Sequence, residues 1–205
     1  MKRFRQAEYW ETEKIKGSRF VVMTCPVTSF KDVQQVLSSV QLSHPNANHN
    51  CWAYRLANGD ERCSDDGEPG GSAGSPILQR LIHADLVDSL AVVTRYFGGT
   101  KLGVGGLIRA YGRSVSEAML NVSMDELISL DQWEICCSYE EQSTLRGVVH
   151  QFNGLFKREL YRVGVEWTIL INPDSSKRFE ERCIEVTSGR VEPSYIGAIV
   201  VPNLV

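Results

Sequence analysis

Two periodicities take turns along this chain. Runs rich in β-branched and aromatic residues alternate with stretches whose apolar positions recur every three or four residues. Arg19–Pro26 (RFVVMTCP) reads as a strand stopped by proline. Ser29 then caps a helix with Asp32 in the capping-box position, and Val33, Val36, Leu37 and Val40 form its buried face. His44-Pro45-Asn46 ends that helix. Asn50–Leu56 is a second strand, and Asn58-Gly59-Asp60 turns it into a hairpin. Ser75 and Pro76 read as an N-cap and first helical position, with Ile77, Leu78, Leu81, Ile82 and Leu86 turned inward. Leu90–Phe97 is apolar enough for a central strand. A long helix is predicted from about Val104 to Leu120, with an apolar stripe through Val104, Leu107, Ile108, Tyr111, Val115, Ala118, Met119 and Val122.

Residues 121–131 read as a joint. Beyond it, strand Trp133–Cys137 leads to a helix opened by a Ser138/Glu141 capping box, with Leu145, Val148, Val149 and Phe152 inward and Asn153-Gly154 closing it. Leu155–Tyr161 and Val165–Ile171 pair across Val163-Gly164. A helix from Asn172 turns Phe179, Cys183 and Val186 inward, and Arg190–Val200 is a last strand. The order βαββαβ suggests a ferredoxin-like split βαβ unit. The chain is thereby read as α+β in two domains, 1–125 and 126–205.

Composition narrows the class. Apolar residues make up 42% and charged residues 23%, which excludes a disordered chain, a coiled coil and a collagen-like fibre. Lys and Arg number 22 against 25 Asp and Glu, so the net charge of −3 argues against a uniformly basic coat but leaves room for a local basic face. No signal-peptide core or membrane-length apolar stretch is present, so a cytoplasmic protein without membrane partners is expected. The six cysteines show neither C-x-x-C nor zinc spacing, and are expected to be reduced thiols without disulfide partners.

The chemistry gathers in two places. Arg95, Lys101, Arg109 and Arg113 lie within 19 residues that hold no Asp or Glu, interleaved with Tyr96, Phe97 and Tyr111. The same stretch carries Gly98, Gly99, Gly103, Gly105 and Gly106 ahead of the long helix, where backbone N–H groups can hold a phosphate or carboxylate. It is neither a Walker loop nor a dinucleotide fingerprint, so tight strand-to-helix packing is the competing explanation. The second place is the flexible loop with Asp65, Asp66 and Glu68, whose oxygens suit a hard cation or a fold-back onto the basic stretch. His49 beside Cys51 invites a nucleophilic pairing, but neighbours along a strand point to opposite faces.

HNCWAY (His49–Tyr54), SDDGEPGGSAGSPIL (Ser64–Leu78), VVTRYFGGTKLGVGGLIRAYG (Val92–Gly112) and the entry GSRF (Gly17–Phe20) resemble the signature blocks of the YigZ/IMPACT family. TSGRVE (Thr187–Glu192) resembles the smaller C-terminal domain of its bacterial branch. The resemblance implies a sandwich like a domain of a small-subunit ribosomal protein, followed by a ferredoxin-like domain resembling those of elongation factors. It also implies a link to translation, since eukaryotic relatives regulate it. The expected function is a non-enzymatic factor without cofactor, binding RNA, the ribosome or a translation-associated protein. Two rivals stay open: an enzyme acting on a small phosphorylated or nucleotide ligand with a divalent cation, and a pure protein-interaction module.

Overall fold

The computed structural model describes residues 1–203. It is a mixed α/β structure with ten strands and five helices among these residues, dividing into two compact units, Met1–Glu126 and Leu127 onward. No helix is long and apolar enough to cross a membrane.

The first unit is built on one antiparallel sheet in the order β2-β3-β6-β4-β5. Its strands are β2 (Glu8–Glu11), β3 (Arg19–Pro26), β4 (His49–Arg55), β5 (Glu61–Ser64) and β6 (Ser89–Tyr96). Alternation sorts their side chains into two layers. Phe20, Val22, Cys51, Ala53, Ala91 and Val93 join Ile77 and Leu81 of α2 (Gly74–His83) and Leu107, Tyr111 and Val115 of α3 (Val104–Met119) in one core. Met23, Cys25, Tyr54, Leu90 and Val92 join Val33 and Val40 of α1 (Phe30–Ser43) in another. Strand β6 is covered on both faces, as its continuous apolar run requires. Arg95 follows Ala91 and Val93 at period two, so it is carried on the layer that faces α2 and α3.

Where the fold departs from the sequence pattern, the reasons are local. Strands β1 (Lys2–Phe4) and β2 escape the reading because each is too short to show alternation. The expected joint at 121–131 contains the whole first half of a strand, β7 (Met124–Cys137), which pairs with β1 at Met124–Glu126 before continuing into the second unit. Strand β4 begins one residue earlier than expected, at His49. Ser75 is not an N-cap: α2 starts at Gly74 behind Ala73, which offers no side-chain cap. Val104 and Ile108 belong to the predicted stripe of α3 but are 53% and 42% exposed, while Leu107 between them is in the core. The last strand, β10, is Ser194–Pro202, shifted past Pro193.

In the second unit, β7 from Leu127 joins β8 (Leu155–Tyr161), β9 (Val165–Ile171) and β10 in an antiparallel sheet ordered β10-β7-β9-β8. Trp133, Ile135, Val165, Trp167 and Ile169 pack against Leu145 and Val149 of α4 (Gln142–Gln151) and Phe179 and Cys183 of α5 (Pro173–Val186). Ser138 and Glu141 form the expected reciprocal box just ahead of α4. Cys136 is exposed and Cys137 buried, as opposite faces of a strand demand, and all six cysteines are free.

One backbone contact positions the loops of the first unit. Lys16 and Gly17 form a tight turn with positive φ at both residues, closed by reciprocal hydrogen bonds between Ile15 and Ser18. This turn lies against Gly98, where an added Cβ would sit 1.9 Å from the Gly17 carbonyl carbon and 2.1 Å from the Ser18 nitrogen. Backbone cannot yield as a flexible side chain does, so Gly98→Ala is expected to cost about 3 kcal/mol, the upper end for overpacking. A fall in the urea midpoint at unchanged m would show it; an unchanged midpoint would mean that the contact is loose.

Candidate functional site

Helix and sheet bring the acidic loop and the basic stretch together, though not as a cation cage. The Asp65 carboxylate accepts backbone N–H bonds from Gly71, Ala73 and Gly74 at 2.8–2.9 Å, so it caps α2 from a distance. Burial works to raise the pKa of Asp65, yet these three donors outweigh it and hold the group below the ordinary carboxylate range. Asp66, at φ +42°, accepts from the Asn50 N–H at 2.5 Å, and its carbonyl meets His49 Nδ1 at 2.7 Å. Glu68 turns the other way, inward.

The Glu68 carboxylate is only 4% exposed and accepts from Arg95 Nη1 at 2.5 Å and from the Tyr111 hydroxyl at 2.8 Å. His49 Nε2 lies 3.9 Å away. Arg95 is itself 6% exposed, with its Cζ 5.7 Å from the rings of both Phe20 and Phe97. Arg95 Nε is buried without a hydrogen-bond partner. Among the described residues, no group of three or more His, Cys, Asp and Glu side chains is placed to hold a metal ion. Asp65, Asp66 and Glu68 therefore do not converge; each is engaged by protein donors.

The nucleophile reading weakens in the same way. Cys51 Sγ sits 3.0 Å from the Asp65 carbonyl and 3.3 Å from the Tyr111 hydroxyl. Burial, helped by the neighbouring carboxylates, pushes its thiol up to about 12, so the nucleophilic thiolate is scarce at neutral pH.

The expected basic face divides. Arg95 is consumed by Glu68, Arg113 is held by Glu117 at 2.5 Å, and Tyr96 is tied through its hydroxyl to His44 Nδ1 at 2.7 Å. Lys101 and Arg109 are exposed and form no ion pair among the described residues. Two hollows flank Leu102. One, about 330 Å³, is lined by Lys16, Arg109 and Arg113 over a floor that includes Ile15 and Ala110. The other, about 340 Å³, lies among Glu68, Arg95, Phe97, Lys101 and the first turn of α3. Gly98 and Gly99 lie on the approach to these hollows along the chain, and Gly103, Gly105 and Gly106 belong to the start of α3. Lys16 is the functional candidate that pattern reading missed. The Lys-Gly turn ahead of β3 was its only signal, and the cation's neighbours come from a helix some 90 positions on.

Residues 16–119 match the model of the Impact N-terminal domain. The IMPACT family member YvyE of Bacillus subtilis is 36% identical over 178 residues, covering 86% of this chain and 82% of the relative. The IMPACT family member YigZ of Escherichia coli is 29% identical, covering 88% and 90%. A solved crystal structure of a hypothetical protein superposes with a TM-score of 0.69 at 27% identity, over 95% of this chain and 96% of that one.

Two outcomes follow from these carboxylates. Glu68→Ala leaves Arg95 charged and unpaired, and is expected to lower unfolding free energy by about 3–5 kcal/mol, with Glu68→Met/Arg95→Met recovering most of it. Urea unfolding of the single and double variants measures this; equal losses in both would assign the cost to packing instead. Asp65 titrates below its unfolded value, so its contribution is complete above the unfolded pKa of about 3.9 and is lost as pH falls through the lower folded value. The melting temperature is expected to fall over that acid range, and to fall less in Asp65→Asn; parallel curves would remove Asp65 from the account.

Proposed function

Because the chain belongs to the IMPACT family, we propose that it is a non-enzymatic cytoplasmic factor in translation regulation that binds the phosphate backbone of RNA. The observation carrying this reading is the hollow lined by Lys16, Arg109 and Arg113, with no carboxylate in its lining. Exposed Lys101 extends the positive surface along the chain. Charge matched to phosphates supplies sequence-independent affinity and releases counterions, which a protein of net charge −3 can do only through such a local face. The surface departs from the simplest reading of the sequence: Arg95 serves the interior and not the ligand, Arg113 is shared with Glu117, and Tyr96 is tied to His44.

The strand order β10-β7-β9-β8 supports reading the second unit as a ferredoxin-like domain, and the helix-covered antiparallel sheet supports likening the first to a ribosomal-protein domain. Likeness of fold does not itself assign function, so the weight rests on the cationic hollow. The rival of a cation-dependent enzyme has less behind it, since the oxygens of Asp65, Asp66 and Glu68 already accept protein hydrogen bonds.

Binding of a single-stranded RNA is expected to weaken with salt, each contacted phosphate contributing about −0.7 to the slope of log K against log salt. Lys16→Ala and Arg109→Ala are expected to weaken binding for all sequences alike and to flatten that slope, each by roughly one contact. Fluorescence anisotropy across a salt series reads both quantities. Affinity indifferent to salt and to these substitutions would overturn the proposal.

A further inference from the structure

Helix α3 carries a further cation on its other flank, brought there by α2. Gly112 of α3 is buried, and the three atoms nearest to a Cβ added there all belong to the Arg80 guanidinium: Nε at 3.1 Å, Nη2 at 3.2 Å and Cζ at 3.6 Å. Any side chain at 112 would therefore push the guanidinium aside. Glycine is a poor residue for a helix interior, because it gives up the most backbone freedom on folding. Here its bare backbone lets a planar cation lie against the helix.

That cation is positioned but unspent. Arg80 is exposed, and its guanidinium forms no ion pair among the described residues. A group already ordered by packing gives up less freedom when it meets a ligand. Arg80 also lines a hollow of about 280 Å³ between α2 and α3, together with His83 one turn on, Ser75 and Ile108. No carboxylate lines this hollow. Ser75 brings a hydroxyl that α2 does not use as a cap.

Helix geometry joins this hollow to the one lined by Lys16, Arg109 and Arg113. At 3.6 residues per turn, Arg109 and Arg113 stand about 60° and about 100° round the helix from Gly112, both in the same sense. The cations thus form a band across α3, from Arg80 through Arg109 to Arg113 and Lys16. Glu117 stands beyond Arg113, with which it pairs. An isolated anion needs only one such hollow. Two hollows without carboxylates, on opposite flanks of one helix, fit an anion that repeats.

We infer that the hollow between α2 and α3 is a second phosphodiester subsite anchored by Arg80, and that a single RNA strand crosses α3 from one hollow to the other. The inference rests on the backbone-binding reading and adds to it a path and a binding residue. The guanidinium meets a phosphate through its planar fork of N–H donors. Ile108, 42% exposed, offers apolar surface to the base carried across the helix.

The test pairs fluorescence anisotropy of a labelled oligouridylate across a salt series with urea unfolding of the same variants. Arg80→Ala is expected to flatten the slope of log K against log salt by about 0.7, the share of one phosphate on a single strand. Its affinity at low salt is expected to fall at least about threefold, for all sequences alike. Lys31→Ala makes the same change of charge at an exposed position of α1, on the opposite face of the sheet, and is expected to bind like the parent. Gly112→Ala alters no charge, yet is expected to weaken binding by displacing Arg80, while its urea midpoint holds or rises because alanine is the better helix former. In the Arg80→Ala background Gly112→Ala is expected to do nothing further; an equal loss there would assign the effect to the helix and overturn the seating of Arg80. Arg80→Ala behaving like Lys31→Ala, or Gly112→Ala binding like the parent, overturns the subsite. If Lys16→Ala and Arg109→Ala still weaken binding in that case, the second subsite falls alone; if they too are silent, the backbone reading falls with it.

Discussion

A carboxylate that is 4% exposed cannot stand alone, and the first unit is arranged around meeting that condition at Glu68. The buried charge is answered from two directions. Arg95 comes from the central strand and Tyr111 from α3, so one residue of a glycine-rich loop is tied both to the sheet and to the helix that covers it. The net worth of such a pair against a well-packed apolar replacement is small, whereas losing one partner is expensive. Its consequence here is conformational. The loop cannot leave the sheet without abandoning a buried charge, and Asp65 fastens the same loop to the start of α2 through three backbone donors. A stretch with the composition of a flexible linker is thereby fixed.

Fixing that loop decides which cations face solvent. Net charge treats Arg95, Lys101, Arg109 and Arg113 as equivalent, but the structure does not. Arg95 is spent inside and Arg113 is partly offset by Glu117, whereas Lys101 and Arg109 keep their charge for solvent or a ligand. Lys16 joins them through a turn that packs against Gly98. Two hollows on either side of Leu102 then differ in kind. One is a cationic trough suited to a repeating anion, and the other, of similar volume, sets Lys101 beside the Glu68–Arg95 pair and the apolar Phe97 and Leu107.

Much of the fold was legible because it obeys simple periods. Val33 and Val40 of α1, Ile77 and Leu81 of α2, and Leu145 and Val149 of α4 are buried as their spacing requires. The short strands β1 and β2 were not legible, since three or four residues with exposed charges carry no period. The first half of β7 was hidden as well: MDELISLD mixes acids with apolar residues, and its pairing is supplied by strands distant in sequence. At the site, both charge clusters could be seen along the chain, and a fold-back between them was open to inference. Which cation it would claim was less visible. The clue lies in β6 itself, because an arginine at period two from Ala91 and Val93 must enter a core, and must find an acid there.

The same reasoning explains why the connection from β6 to α3 is glycine-rich without matching a nucleotide-binding fingerprint. Gly98 is required by the close approach of the Lys16-Gly17 turn, where any Cβ would meet backbone. Gly103 adopts φ +72°, a conformation that side chains disfavour, and so starts α3 without a capping hydroxyl or carboxylate. Packing therefore accounts for the first glycine and chain direction for the second. Helices α1 and α5 begin with Ser29 and Asn172 accepting from their own first turns, and α2 borrows Asp65. Helices α3 and α4 instead begin without a side-chain cap, α3 because glycine holds the position from which a hydroxyl or carboxylate would reach back.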